Sequence, residues 1–160
     1  MTIKTILLGL YFGTSISVVS WMIGIMFNGI FEKTEFYKKF SNLNFIKSKS
    51  LNNNIGLKYF KWIVKKTIFK YFNQKIKIEN KKTDLIKLRH EMTLAEISHL
   101  VGFIFVTIFA IYFSLKPNLV YGLSIMIPNT FLNLYPSLLQ QENKRKIDSL
   151  IHKQKEPSNN

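Results

Sequence analysis

The chain has no cysteine, only three histidines and only nine acidic side chains among its 160 residues. Without cysteine it has no disulfide, no thiolate nucleophile and no cysteine metal site. Any metal would need histidine and carboxylate ligands, and both are scarce. The few acids leave most of the 23 Lys and Arg side chains unbalanced, and the formal net charge is +14. Such a charge fits an anionic partner, either nucleic acid or a lipid surface.

The hydrophobic residues are gathered into three long runs that are separated by lysine-rich segments. The first run, from Thr5 to Phe31, contains no charged side chain. About 20 residues at roughly 1.5 Å each cross a hydrocarbon core of about 30 Å, so this run predicts a transmembrane helix over 5–31. It is too long for the apolar region of a signal peptide, and no cleavage site follows it. The other two runs predict spans over 93–115 and 119–140.

Small residues and prolines inside these runs predict how the spans pack. Gly9, Gly13 and Ser17 recur every four residues, which lets another helix approach closely. Pro128 and Pro136 predict bends in the third span, because each proline leaves a carbonyl without its helical donor. Such bends are expected to pack against protein or water.

The basic side chains predict the orientation of the chain in the membrane. Segment 32–92 holds most of them, whereas the connection 114–118 carries only Lys116. The positive-inside rule therefore places 32–92 in the cytoplasm, together with the polar tail 141–160. The prediction is a single domain, 1–160, of an all-α multi-pass protein in the cytoplasmic (inner) membrane. Its amino terminus lies outside and its carboxyl terminus lies in the cytoplasm.

Between Gly56 and Ile78, aromatic side chains and lysines alternate at near-helical spacing. This pattern predicts a basic amphipathic helix in the headgroup layer, with the lysines facing phosphates. A nucleic-acid groove is another use of such a composition, but its position between membrane spans argues against it. Specific headgroup recognition and a merely structural role both stay open for this segment.

Two ionisable side chains, Glu96 and His99, interrupt the start of the second span. Residues at steps of three or four share one face of a helix. The face that carries Glu96 and His99 consists of Arg89, Met92, Glu96, His99 and Phe103. The third span carries a second polar face, made of Asn129, Asn133, Pro136, Gln140 and Asn143.

The depths of these two faces can be compared along the helix axes. If the cytoplasmic boundary lies near residues 93 and 140, His99 and Asn133 each lie about 10 Å inside it, at roughly 1.5 Å per residue. In antiparallel neighbouring helices they would meet. Arg89 and Glu91 would then lie at the level of Asn143 and Arg145. The sequence therefore predicts one polar pocket that opens to the cytoplasmic leaflet.

Ionisable groups inside a membrane helix cost several kcal/mol unless they are compensated, so they are candidate functional groups. His99 can take a proton from a hydroxyl nucleophile, and Glu96 can orient the ring or stabilise its charged form. An asparagine or arginine at the same depth can stabilise a tetrahedral oxyanion. This combination suits acyl transfer. A structural interhelical role stays open for Glu96 and His99, and it is favoured for Asn129 and Asn133.

Other chemistries fit the sequence less well. Glu-x-x-His is half of a di-iron motif, but the second copy and the further glutamates are missing. No Gly-x-Ser-x-Gly motif is present, so nothing indicates a covalent serine intermediate. We therefore predict neither a metal nor a cofactor.

The polar residues of both faces carry a family resemblance: Glu91, Ala95-Glu96-x-x-His99, Asn133 and Gln140-x-x-Asn143-Lys144-x-Lys146. They resemble the glycosyl-4,4'-diaponeurosporenoate acyltransferase family of small bacterial membrane proteins, over residues 84–147. The resemblance implies esterification of a sugar hydroxyl on a glycosylated carotenoid acid with a fatty acyl chain. Where the family can show arginine near the end of the last helix, this chain has Lys144 and Lys146, which leaves the acceptor open.

The prediction is a membrane-bound acyltransferase that esterifies a hydroxyl, in the first place a sugar hydroxyl, of a lipid acceptor such as a glycosylated carotenoid. His99 is the predicted general base and Glu96 its partner. The predicted substrate-binding residues are Arg89, Glu91, Asn129, Asn133, Gln140, Asn143, Lys144 and Arg145. The predicted partners are membrane lipids, the acceptor and an acyl donor, either acyl-CoA or acyl carrier protein. No nucleic acid is expected, and assembly into a homo-oligomer stays open. The alternative is a non-enzymatic scaffold or a lipid-binding subunit of a larger complex.

Overall fold

The computed structural model of the chain describes residues 2–45, 56–66, 82–116 and 118–155, and all its regular elements are helical. This confirms the all-α part of the predicted fold. The elements are α1 (Thr2–Phe31), α2 (Glu35–Phe40), α3 (Leu57–Lys66), α4 (Lys82–Leu115), α5 (Leu119–Asn129), a π-helical segment (Thr130–Leu134) and α6 (Tyr135–Lys155).

Two helices are long and apolar enough to cross a membrane, Thr2–Phe31 and Leu85–Leu115. The third predicted span, 119–140, differs from the prediction because it is not one uninterrupted helix. Helix α5 contains Pro128 and ends at Asn129, and the π segment follows it. The chain then continues as α6, whose second half is rich in charge. Length and composition therefore identify two candidate membrane-spanning helices, and not clearly three.

The burial pattern of α1 is the reverse of that in a water-soluble protein. Its buried residues are small or polar, namely Gly9, Gly13, Ser17, Ser20, Gly24 and Asn28. Its large apolar side chains, among them Leu7, Met22, Ile25 and Ile30, are exposed. Soluble proteins rarely expose so continuous an apolar surface, whereas small residues between helices and large ones toward lipid are typical of membrane bundles. The pattern supports membrane association.

The glycine repeat of α1 brings this helix close to α5. A Cβ atom added at Gly9 would lie 2.6 Å from Ser124 Cβ, and one at Gly13 would lie 2.7 Å from Pro128 Cγ. Real Cβ atoms essentially never approach other atoms so closely. The predicted close approach at this repeat is therefore confirmed, and α5 is the partner helix.

Helices α4 and α5–α6 form an antiparallel hairpin. The Asn118 side chain accepts a hydrogen bond from Val120 N and caps the start of α5. The contacts then run in register along the pair, from Asn129 opposite Phe103 to Asp148 opposite Arg89. This is the antiparallel arrangement that the comparison of depths assumed.

Helix α2 is attached to α1 by a buried tyrosine. Thr34 caps α2 by accepting a hydrogen bond from Tyr37 N, at 3.2 Å. The Tyr37 hydroxyl donates to Asn28 Oδ1 over 2.8 Å. Burial and, to a smaller extent, the charge of Glu32 raise the pKa of Tyr37, so the phenol stays protonated and acts as the donor.

Helix α3 packs on α6 through Leu57, which is buried against Leu138 and Leu139. An ion pair between Lys61 and Glu142 adds a second contact. Burial by itself would raise the pKa of Glu142, but the hydrogen bonds from Lys61 and Lys146 outweigh it and hold that pKa below its usual range. The predicted amphipathic helix extended to 78, and 67–81 lie outside the described residues. Its place in the headgroup layer stays a prediction.

Candidate active site

His99 faces an apolar cavity of about 460 Å³ that lies between α1, α3, α4, the π segment and α6. Cavities of this size accommodate small-molecule ligands or part of a lipid chain. Among the described residues that line it, His99 is the only ionisable one, and Ser98 and Gln140 are also polar. The remaining lining is mostly apolar and includes Trp21, Ile25, Phe60, Phe131, Pro136 and Leu139.

The His99 ring is held by neighbours from three elements. It lies beside the Asn133 side chain and the main chain of Leu132, and Trp21 meets it edge-on with 5.9 Å between ring centroids. His99 Nδ1 is buried and has no hydrogen-bond partner among the described residues.

The structure brings His99 and Asn133 together, but Asn129 and Asn133 do not line the cavity. Asn133 Nδ2 donates to Ser20 Oγ at 3.2 Å and to Asn129 Oδ1 at 2.9 Å. Asn129 Nδ2 donates to the Phe103 carbonyl at 3.1 Å. Both side chains are fully buried. Their predicted substrate contact is therefore not what the geometry favours, and they serve as bonds between helices.

Glu96 has a different partner from the predicted one. Its carboxylate forms an ion pair with Lys144, and both side chains are almost completely shielded from solvent, at 0% and 4% exposure. Gln141 lies beside the same carboxylate. Lys144 also donates to the Ser41 carbonyl over 2.9 Å. Glu96 thus joins α4 to α6, one helical turn before His99.

A second, polar cavity of about 160 Å³ lies at the same end of the bundle and brings together Arg89, Lys144 and Arg145. Arg89 is bound by Asp148, with Nε at 2.5 Å from Oδ1 and Nη2 at 3.3 Å from Oδ2. Arg145 donates to Asn44 Oδ1 over 2.5 Å. Three of the predicted substrate-binding residues therefore share one site, which has three cations and one lining carboxylate.

The single polar pocket of the prediction is thus two cavities. Gln140 lines the apolar one, and Asn143 lies beside it, with Nδ2 at 3.4 Å from Gln140 Oε1. Glu91 is half-buried and lines neither cavity. Gln140 therefore lies with His99 at the apolar cavity, Asn143 contacts Gln140 without lining that cavity, and Arg89, Lys144 and Arg145 line the polar cavity.

The sequence analysis missed two parts of the site. Trp21 lines the apolar cavity from α1. Residues 41–44 line the polar cavity, and Phe45 N donates to Gln141 Oε1 at 2.9 Å. A signal for the α1 contribution exists, because the small-residue repeat continues through Ser20, Gly24 and Asn28. Nothing in the composition of 41–45 indicates its contacts.

No group of three or more His, Asp or Glu side chains that could hold a metal ion occurs in the described part of the chain. His90 pairs with Glu32 at 2.8 Å, away from both cavities. In the described residues, the site combines one imidazole and amides with cations that are paired to the carboxylates of Glu96 and Asp148.

Fold and site together define a helical, membrane-associated protein with an apolar cavity beside one imidazole. Over residues 33–153 the chain matches the family model of glycosyl-4,4'-diaponeurosporenoate acyltransferase. The chain belongs to this family. No curated protein and no solved structure matches it. The match is longer than the resemblance over 84–147, and it begins after α1.

Proposed function

We propose that the protein is a membrane-bound acyltransferase that moves a fatty acyl group from a thioester donor to a hydroxyl of a lipid acceptor. The family favours a glycosylated carotenoid as that acceptor, with a hydroxyl of its sugar as the group that is esterified. The observation that carries the proposal is the position of His99, which among the described residues is the only ionisable side chain on an apolar cavity large enough for part of a lipid chain. A base in a dry site next to space for an acyl chain is what esterification requires.

In the proposed reaction, a ring nitrogen of His99 accepts the proton of the acceptor hydroxyl. The hydroxyl oxygen then attacks the thioester carbonyl, and a carbon–oxygen bond forms. The carbon–sulfur bond of the tetrahedral intermediate breaks, and the leaving thiolate takes the proton from the imidazolium. The products are the ester and the free thiol, and His99 returns to its neutral form.

The two cavities bind different parts of the substrates. The apolar cavity takes the acyl chain, and Gln140 offers an amide to the acceptor hydroxyls at its edge. The polar cavity takes an anionic group of acyl-CoA or of the arm of acyl carrier protein. Arg89 and Lys144 are already paired with Asp148 and Glu96, whereas Arg145 contacts the neutral Asn44. Arg145 is therefore the proposed first contact of the anion.

This function places the site in the cytoplasmic leaflet of the inner membrane. The basic residues of 32–92 and of α6 face the cytoplasm, where both thioester donors are found, and the amino terminus lies outside. The exposed lysines of α3 contact anionic headgroups. In this arrangement the donor reaches the polar cavity from the cytoplasm, and the lipid acceptor reaches the apolar cavity from the membrane.

The test uses cells that make the glycosylated carotenoid and lack their own acyltransferase. Wild type, His99→Ala and the control His152→Ala, whose side chain is exposed on α6, are expressed and their lipids measured by mass spectrometry. We expect His99→Ala to lose about 100-fold or more of the ester, since general bases contribute roughly 10²–10⁴-fold. Full activity of His99→Ala at a normal protein level would remove the proposed mechanism. Ester formation that depends on a copurifying partner would favour the scaffold alternative.

A further inference from the structure

Trp21 lies in α1, which precedes the segment matched by the family model, and yet it contacts the proposed base. Its ring meets the His99 ring edge-on, with 5.9 Å between centroids and an angle of 85° between planes. Edge-to-face pairs at 4.5–7 Å are the favourable arrangement of such rings. Trp21 also lines the apolar cavity. One side chain of α1 therefore touches both the base and the space for the acyl chain.

Trp21 reaches His99 by a second route through Asn133. Trp21 Nε1 donates to Asn133 Oδ1 over 3.0 Å, and the Asn133 side chain lies beside the imidazole. The other end of the amide is already held, because Asn133 Nδ2 donates to Ser20 Oγ and Asn129 Oδ1. The Trp21 N–H thus completes the hydrogen bonds that hold the Asn133 amide in place. The Asn133 amide in turn limits the movement of the His99 ring.

The backbone contacts of α1 hold Trp21 in this place. A Cβ atom at Gly24 would overlap the Ser98 main chain, so the two backbones touch one turn after Trp21. Asn28 Nδ2 donates to the Leu94 carbonyl at 2.8 Å and to Ser98 Oγ at 2.7 Å. These contacts join α1 to the turn of α4 that directly precedes His99. Trp21 therefore cannot move away without breaking the α1–α4 contact.

We propose that Trp21 is a positioning residue for His99 and, with the same ring, a wall that limits which acyl chains the cavity accepts. This inference rests on the proposed function. Loss of the indole N–H slows turnover without weakening substrate binding, because the N–H bonds only to Asn133 among the described residues. Loss of the whole ring also widens the cavity, so longer or bulkier acyl chains are transferred.

The experiment compares membranes that contain wild type, Trp21→Phe, Trp21→Ala and the control Trp62→Phe. Trp62 is exposed on α3 and lines neither cavity. For Trp21→Phe we expect kcat per molecule to fall about tenfold, the effect of one hydrogen bond, with KM for the donor unchanged within about twofold. For Trp21→Ala we expect an additional shift of the ester products toward longer chains. Trp62→Phe should match wild type.

The inference is overturned if Trp21→Phe has the kcat of Trp62→Phe, or if only KM rises. If the ester products of Trp21→Ala have the same acyl chain lengths as those of wild type, the Trp21 ring does not limit which chains the cavity accepts. Should Trp21→Phe not accumulate, benzothienylalanine at position 21 keeps the ring shape and lacks only the N–H. His99→Ala in the same series separates the two proposals. Activity in that variant rejects the proposed function, whereas its inactivity beside a fully active Trp21→Phe rejects only this inference.

Discussion

The ion pair of Glu96 and Lys144 is the most deeply buried charge pair in the described part of the chain. Removing two charges from water is expensive, and their attraction compensates only if both partners are present. Lys144 has one further bond, to the Ser41 carbonyl, and Gln141 lies beside the carboxylate. The pair therefore holds α6 and the 41–45 segment against α4, one helical turn before His99.

Breaking this pair from one side should destabilise the fold rather than only slow the reaction. We expect Glu96→Gln or Lys144→Met to lower the free energy of unfolding by about 3–5 kcal/mol, because each leaves one buried charge uncompensated. The double variant Glu96→Leu with Lys144→Leu should lose less than either single variant. Thermal unfolding in detergent measures these differences.

The matched control for the ion pair is Glu35→Gln, which breaks the exposed contact of Glu35 with Lys38 on α2. Exposed pairs contribute little, so its unfolding temperature should equal that of wild type. If Lys144→Met unfolds at the same temperature as Glu35→Gln, the buried pair is not the structural contact argued here.

Glu96 and His99 were identified because ionisable groups inside an apolar run are recognisable from the sequence alone, whereas Lys144 was identified from the family resemblance at the end of the last run. Their partners were harder to predict. Depth along a helix axis follows from counting residues, so the meeting of His99 with Asn133 could be predicted. The direction of a side chain around the axis depends on packing, and packing turned the Asn133 amide toward Ser20 and Trp21 on α1.

At the scale of elements, the π segment explains why a single polar face was predicted on the third span, whereas the structure divides its polar residues between two faces. A π turn contains an additional residue, which rotates the following helix relative to a regular α-helix. The predicted face continued from Asn133 through Pro136 and Gln140. The face that packs on α4 instead passes through buried Gln141 and Lys144 and reaches Asp148. Spacing rules for regular helices could not show this shift.

The closest backbone approach along α1 is at Gly24, where an added Cβ would overlap the Ser98 carbonyl. A main-chain atom cannot move aside as the end of a flexible side chain can, so Gly24→Ala must push α1 away from α4. We expect a loss of about 1–3 kcal/mol in the free energy of unfolding, as overpacking typically costs. The amount of protein in membranes and its thermal unfolding measure this effect.

Gly29 provides the control for this substitution, because it lies on the same helix and an added Cβ would meet nothing within 4 Å. Gly29→Ala should be at least as stable as wild type, since alanine favours the helix. Equal behaviour of the two alanine variants would show that α1 is not held against α4 at this point.

In the described part of the chain, α1, α4 and α5–α6 form three helical columns of the bundle, and only the first two are long, uninterrupted and apolar. The third column contacts both of the others and carries Asn133, Gln140 and Lys144. Whether this column crosses the bilayer decides the side on which the end of α6 lies. The charge distribution predicts that it crosses, with the turn outside and the end of α6 in the cytoplasm.

The absence of cysteine makes this orientation directly testable, because a single introduced thiol is the only one in the chain. Cysteine is placed at four exposed lysines, Lys4, Lys39, Lys116 and Lys153. With a membrane-impermeant maleimide on spheroplasts, we expect labelling at positions 4 and 116, and labelling at 39 and 153 only after lysis. Labelling of 116 and 153 from the same side would mean that α5–α6 enters and leaves by one face. Because Asp148 of α6 pairs with Arg89 near the start of α4, the polar cavity lies at that end of the hairpin, and a cytoplasmic thioester donor requires that position 153 be labelled only after lysis.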